Sequence, residues 1–216
     1  TAKNKKIKSL VIAGDMFNMD ALSRFEPKQD TANLETEIES GIKVASTLLK
    51  AFDTIYFLKG NHDVRLTKAL GFTLSFSNSM RLMFGSLGED LLNKIQFSNL
   101  DHMWVKPYLD APSYQSFYVC HPESYSQVAL TKGKLLSDKF NANIITAHSH
   151  HCAVGFARDG KKVVAEAGGI FDSTKTEYLQ SSTSYPIWVN GFCWLERDRG
   201  LLRLQFPGDQ WMYKEG

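Results

Sequence analysis

The chain has 216 residues, of which 43% are hydrophobic and 22% charged, with a net charge of +2. These values are ordinary for a folded globular protein, so we expect a single domain over residues 1–216, and the charge alone does not indicate nucleic acid as a partner. No apolar run approaches the roughly 18 residues of a membrane span, so we expect no membrane partner. Three cysteines without CxxC spacing favour a reducing compartment. We therefore expect a cytoplasmic protein.

The opening of the chain predicts a βαβ unit. An apolar run at Leu10–Ala13 indicates a buried strand. Apolar residues then recur on one helical face over residues 34–52, and Asp30 or Thr31 can cap that helix. The β-branched and aromatic run Thr54–Leu58 indicates a second strand. Strand, helix and strand in this order predict two parallel strands of one sheet.

The rest of the chain predicts further strands, helices and hairpins, although the segment 66–110 is harder to interpret. Asp159-Gly160, between two short apolar runs, is a strong hairpin signal. The predicted elements are short helices around 87–95, a strand at Phe117–Cys120, a helix over 127–140, a strand at Asn143–Thr146, and hairpins pairing 154–156 with 163–165 and 187–195 with 201–206. Sheets with flanking helices, in one α/β domain, are the most economical interpretation.

Polar residues that can bind metal follow four of these strands. They are Asp15, Asn61, His121, and the pair His148 and His150. Ligands of open α/β sheets bind at the carboxyl ends of strands, so these side chains could converge. Their mixed oxygen and nitrogen donors suit Mn, Fe, Zn or Co better than Ca. Each alone has another interpretation: a turn at Asp15, a polar loop at Asn61, a structural His121, or a surface histidine cluster at 148–151.

The order of these motifs resembles the calcineurin-like metallophosphoesterases. The matching segments are Gly14-Asp15, Gly60-Asn61-His62-Asp63, His121 and Ala147-His148-Ser149-His150. The resemblance implies an α/β fold, a four-layer α/β/β/α sandwich of two mixed sheets flanked by helices. It also implies a hydrolase with a dinuclear metal centre, often manganese, in which a metal-activated water attacks a phosphate ester.

Metal-ligand roles come with the resemblance. Asp15 would bridge up to two divalent ions. Asn61, His121 and His148 would complete the shell of the second ion, and His150 would bind the first. On a strand, alternation would place His148 and His150 on one side.

Catalytic roles also come with the resemblance. His62 would not bind metal, and would protonate the leaving oxygen or stabilise the phosphoryl charge. Asn18 stands where many relatives have an aspartate that hydrogen-bonds this histidine. An asparagine oxygen can accept the same bond, but it brings no charge.

One family motif is absent, because no Asp-x-His occurs in the chain. Either the chain is a fragment that lacks its first strand, or the protein has lost one metal site. In both cases the first ion keeps only Asp15 and His150.

Three functions remain open. The first is metal-dependent hydrolysis of a phosphomonoester or phosphodiester, with a phosphate ester as the partner. The alternatives are a DNA nuclease of the double-strand-break-repair type and a non-catalytic scaffold on a decayed phosphoesterase fold. Late aromatic residues could line a substrate pocket or pack in the core: Tyr178, Tyr185, Trp188, Phe192 and Trp194. The substrate, the metal and the oligomeric state do not follow from the sequence.

Overall fold

The computed structural model describes residues 7–23, 33–171 and 188–196, and the backbone of 201–205. The chain divides into two compact units, Thr1–His102 and Met103–Gly216. Within the described ranges, no helix combines the length and the apolar character that a membrane crossing requires. The single domain over residues 1–216 stays a prediction.

The first unit contains a three-stranded sheet in the order β1-β2-β3. Its strands are Ser9–Ile12, Thr54–Phe57 and Ile95–Phe97. Both pairings are parallel, with Leu10 opposite Ile55 and Ile55 opposite Ile95. Helices connect the strands, and crossovers of this kind bring successive strands back in the same direction. The described strands of this sheet are therefore all parallel.

Helices accompany this sheet. They are α1 Leu34–Leu49, α2 Val64–Ala69, α3 Phe76–Met83 and α4 Glu89–Leu92. The Asn33 side chain caps α1 by accepting a hydrogen bond from the backbone N–H of Thr36 at 3.0 Å. The predicted caps, Asp30 and Thr31, lie outside the described residues and two or more positions before the observed cap. Gly41 lets α1 approach Phe17, because a Cβ at this glycine would lie 2.1 Å from the phenylalanine ring.

Phenylalanine rings form much of the first core. Phe57 packs against the rings of Phe76, Phe84 and Phe97, with centroids 5.7–6.4 Å apart, and Phe17 meets Phe84 edge to face at 5.6 Å. Such pairs contribute about 0.5–1.5 kcal/mol each beyond the burial of their area. This core fixes the carboxyl end of β1, and Phe17 lies only two residues beyond Asp15.

The second unit contains a five-stranded sheet in the order β4-β5-β6-β8-β7. Its strands are β4 His102–Val105, β5 Phe117–Cys120, β6 Asn143–Thr146, β7 Cys152–Phe156 and β8 Val163–Ala167. The strands β5, β6 and β8 run parallel, whereas β7 is antiparallel to β8, so this sheet is mixed. The helix α5, Thr131–Phe140, contributes Phe140, which stacks on Tyr118 at 4.4 Å. A separate antiparallel pair joins β9 Phe192–Glu196 to β10 Leu201–Gln205.

The structure confirms the α/β class, with two sheets accompanied by helices, and the pairing in both predicted hairpins, although the first strand of the second hairpin is Phe192–Glu196 and not 187–195. Residues 197–200, between the two strands of the second hairpin, lie outside the described residues. The structure adds β3 and β4, which the sequence did not predict, and shortens the helix of 127–140 to α5. Cys120, Cys152 and Cys193 all lie in the described part of the chain, and none of them is in a disulfide there.

Candidate metal centre

In the first unit, the buried carboxylate of Asp63 connects the loops that follow β1 and β2. These two loops carry the predicted ligands Asp15 and Asn61, and we call them the ligand loops. Asp63 is 0% exposed. Its oxygens accept hydrogen bonds from the backbone N–H groups of Asp15 at 2.6 Å, Phe17 at 3.0 Å and Gly60 at 3.3 Å. Hydrogen bonds to an ionised carboxylate are among the stronger ones in proteins. The last residue of the Gly-Asn-His-Asp motif therefore has a structural role here.

Gly60 is required by the close approach of these loops. A Cβ at this position would lie 2.2 Å from the backbone nitrogen of Asp15 and 2.3 Å from its Oδ1. It would also lie 2.7 Å from Oδ2 of Asp63. Backbone atoms cannot swing away as a flexible side chain does, so any larger residue would separate the two loops.

Asp15 lies beyond the end of β1 in a left-handed conformation, with φ at 55°. Its Oδ1 accepts a hydrogen bond of 2.8 Å from the backbone N–H of His62. Asn61, directly before His62, is exposed. The first unit thus brings Asp15 next to the Asn61-His62 segment, as expected for residues that follow neighbouring parallel strands.

His62 is oriented by Asn18. The Nδ1 atom of His62 lies 2.6 Å from Asn18 Oδ1 and 3.2 Å from the backbone carbonyl oxygen of Asn18. Both oxygens only accept hydrogen bonds, so they favour a proton on Nδ1. In the neutral ring Nε2 then carries the lone pair, and it is the nitrogen that can exchange a proton with a substrate.

In the second unit, His121 and His148 direct ring nitrogens at each other. Nε2 of His121 lies 2.9 Å from Nδ1 of His148. His121 is buried at the end of β5, and its ring meets that of His148 edge to face at 4.8 Å. Two metal–nitrogen bonds of about 2.1 Å meeting at about 90° would place the nitrogens about 3.0 Å apart. The pair could therefore hold a metal ion.

The predicted strand alternation across His148 and His150 is wrong. The strand β6 ends at Thr146, and both histidines lie in the following loop with φ at 74° and 56°. They therefore owe their directions to left-handed backbone turns. A non-glycine residue adopts this region at a cost, so the loop must be held by its surroundings.

A buried pair anchors this loop. His151 Nδ1 lies 3.0 Å from Glu166 Oε2, and the side chains of His151 and Glu166 are 9% and 1% exposed. The backbone carbonyl of His151 also accepts a 2.7 Å hydrogen bond from the N–H of Gly168. The sequence predicted a surface histidine cluster as one alternative for residues 148–151, and it gave no sign that Glu166 would partner His151.

His150 lies among aromatic rings. Trp188 stacks on it with centroids 4.4 Å apart and planes at 19°, and Phe171 meets it edge to face at 5.7 Å. Trp188 thus packs against a predicted metal ligand. Phe192 and Trp194 contact each other at 6.3 Å, whereas Tyr178 and Tyr185 lie outside the described residues.

No family model and no curated protein matches the chain. Among solved structures, it is similar to a single mutant of Vps29 from Entamoeba histolytica, with 11% sequence identity and a TM-score of 0.37. The match covers 91% of this chain and 96% of that one. Function does not follow from so distant a likeness, and depends instead on the side chains of the site.

Proposed function

We propose that this chain is a metal-dependent phosphoesterase of the calcineurin-like type, which hydrolyses a phosphomonoester or a phosphodiester. The observation that carries the proposal is the pair of ring nitrogens of His121 and His148, 2.9 Å apart, at a spacing that suits two ligands of one ion. The resemblance of the ordered sequence motifs gives independent support.

The proposed ligands are those of the ordered sequence motifs. By the resemblance of these motifs, Asp15 and Asn61 would supply oxygens, and His121 and His148 would supply nitrogens. His150 would bind the first ion, as the resemblance implies. A set of carboxylate, amide and imidazole donors fits a divalent transition metal such as Mn, Fe, Zn or Co. When bound, such an ion would polarise the phosphoryl oxygens and lower the pKa of water.

The residues of the chain then divide the work. His62, with Nδ1 engaged by Asn18, offers Nε2 to the substrate and donates a proton to the leaving oxygen when the ring is protonated. Asp63 and Gly60 hold the two ligand loops close together. A phosphate ester is the proposed substrate.

The first experiment is metal binding, measured by titrating Mn²⁺ into the metal-free chain. Four donors for one ion and two for the other predict one tightly bound ion per chain when metal is limiting, because affinity rises with the number of ligands. His121→Ala and His148→Ala should each abolish tight binding. His102→Ala is the matched control: its Nδ1 contacts Asp101 at 2.7 Å, and it is not one of the proposed ligands.

The second experiment is turnover of an aryl phosphate monoester, a bis-aryl phosphodiester and a DNA oligonucleotide by the metal-loaded chain. His62→Ala should reduce turnover by about 10²–10⁴-fold while leaving metal content unchanged. Cleavage of DNA alone would favour the nuclease. Bound metal without turnover of any substrate would favour the non-catalytic scaffold, and failure to bind metal would refute the centre.

A further inference from the structure

The side-chain amide of Asn18 lies between His62 and an acidic residue that the family motifs do not include. Its Oδ1 is 2.6 Å from Nδ1 of His62, and its Nδ2 donates to Oδ2 of Asp20. The other oxygen of Asp20 accepts from Nη1 of Arg65 at 2.9 Å. The four side chains therefore form one chain of hydrogen bonds that ends at the imidazole.

The donors and acceptors of this hydrogen-bond network are fixed by Asp20. The carboxylate of Asp20 can only accept hydrogen bonds, so the amide must turn its NH2 group towards Asp20 and its oxygen towards His62. The imidazole must then carry its proton on Nδ1. Without the carboxylate, the amide could rotate by half a turn and present its NH2 group to Nδ1, which would favour the tautomer with the proton on Nε2.

Arg65 holds Asp20 in place. Its Nη1 donates both to Asp20 and to the backbone carbonyl of Asn18, the latter at 2.7 Å. The side chains of Arg65 and Asp20 are 19% and 33% exposed, so the pair is partly shielded from water. The carbonyl oxygen that accepts this hydrogen bond from the guanidinium is the one that lies 3.2 Å from Nδ1 of His62. That oxygen is therefore a weaker acceptor for the imidazole than Oδ1 of Asn18 at 2.6 Å.

We propose that Asp20 is a positioning residue for the proton-transfer step: it fixes the orientation of the Asn18 amide and, through it, the tautomer of His62. The proposal rests on the function proposed above, in which His62 exchanges a proton at Nε2. An aspartate at position 18 would present an acceptor oxygen to the imidazole in either orientation, because both oxygens of a carboxylate accept hydrogen bonds. With asparagine at position 18, the same result requires Asp20 to fix the orientation of the amide.

The first test is the tautomer of His62, read from the nitrogen chemical shifts of its ring by NMR. It is measured on the metal-free full chain at one fixed pH at which the ring is neutral. We expect the proton on Nδ1 in the native chain and a mixture of tautomers in Asp20→Ala. In the Asn18→Asp background, the same Asp20→Ala change should leave the proton on Nδ1.

A matched control comes from the same loop. Oε1 of Glu37 accepts from the backbone N–H groups of Asn18 at 2.5 Å and Met19 at 2.9 Å, so Glu37→Gln removes a nearby charge but keeps an acceptor. We expect no change of tautomer in this variant. A change equal to that of Asp20→Ala would mean that any loss of charge on the loop has this effect, and would refute the proposal.

The second test is turnover in the same set of variants. Asp20→Ala should lower kcat about 10-fold, typical of residues that orient a functional group, and should lower it much less in the Asn18→Asp background. A native chain that hydrolyses no phosphate ester would refute the proposed function, while the tautomer would still decide the role of Asp20. An unchanged tautomer in Asp20→Ala, or equal losses of kcat in both backgrounds, would refute the positioning role.

Discussion

Replacing Asp63 by asparagine tests whether its buried carboxylate holds the ligand loops together. The carboxylate accepts three backbone hydrogen bonds, two at Oδ2 and one at Oδ1. In Asp63→Asn the amide oxygen can replace only one of these atoms. The best orientation keeps the bonds from Asp15 and Gly60 and sets an NH2 group against the N–H of Phe17.

The expected cost follows from that mismatch. At least one bond to a charged acceptor is lost, and a buried N–H is left facing another donor, at about 1–3 kcal/mol each. Asp63→Asn should therefore lower the free energy of unfolding by about 2–6 kcal/mol. Asp63→Ala removes all three bonds and should cost more.

The assay is denaturant unfolding of the metal-free chain, followed by circular dichroism. Asp53→Asn is the matched control, because Asp53 is exposed and its substitution should change stability by no more than about 0.5 kcal/mol. If Asp63→Asn were as stable as this control, the three hydrogen bonds would contribute nothing and the reasoning would be wrong.

Three further predictions concern single residues. Gly60→Ala should destabilise the chain by about 1–3 kcal/mol, because its Cβ would overlap Asp15, and denaturant unfolding measures this loss. Burial, with a smaller contribution from Cys152, raises the pKa of Cys193 to about 12. Alkylation of Cys193 at pH 8, followed by mass spectrometry, should therefore be about 10³-fold slower than in the unfolded chain. The side chain and backbone of Lys162, together with the backbone of Lys161, lower the pKa of Asp159 to about 2, and an NMR titration should find that midpoint. Because this pKa is lowered by folding, the stabilisation by Asp159 is complete above about pH 4 and is lost as the pH falls through 2; a midpoint near 4 would contradict the hydrogen bonds at this turn.

The elements that the sequence predicted best are those with strong local signals. The strands Phe117–Cys120 and Asn143–Thr146 match their predicted bounds, because each is a buried apolar run between polar segments. The sequence did not predict the strands β3 and β4, because they mix polar with apolar positions. Such strands form because a sheet edge is available, and local composition does not reveal that.

The site shows the same division. Side chains that follow predicted strands, such as Asp15 and His121, could be named from their positions in the sequence. The contacts of Asp63, and those between Asn18 and Asp20, depend on how the turns after β1 and β2 face each other. No spacing in the sequence predicts that Arg65, on α2, would donate to Asp20. Long-range hydrogen bonds of this kind require the fold.

Asp15, His148 and His150 have left-handed backbone conformations, which lower the stability of the chain at positions that the proposed function requires. Residues other than glycine occupy this region at a cost of about 1–3 kcal/mol each, whereas glycine occupies it freely. Glycine at any of these positions would relax the backbone and remove a proposed metal ligand in the same step. Selection for stability alone would therefore tend to remove the proposed metal ligands. A collection of stabilised variants of this chain should be rich in glycine at the three positions.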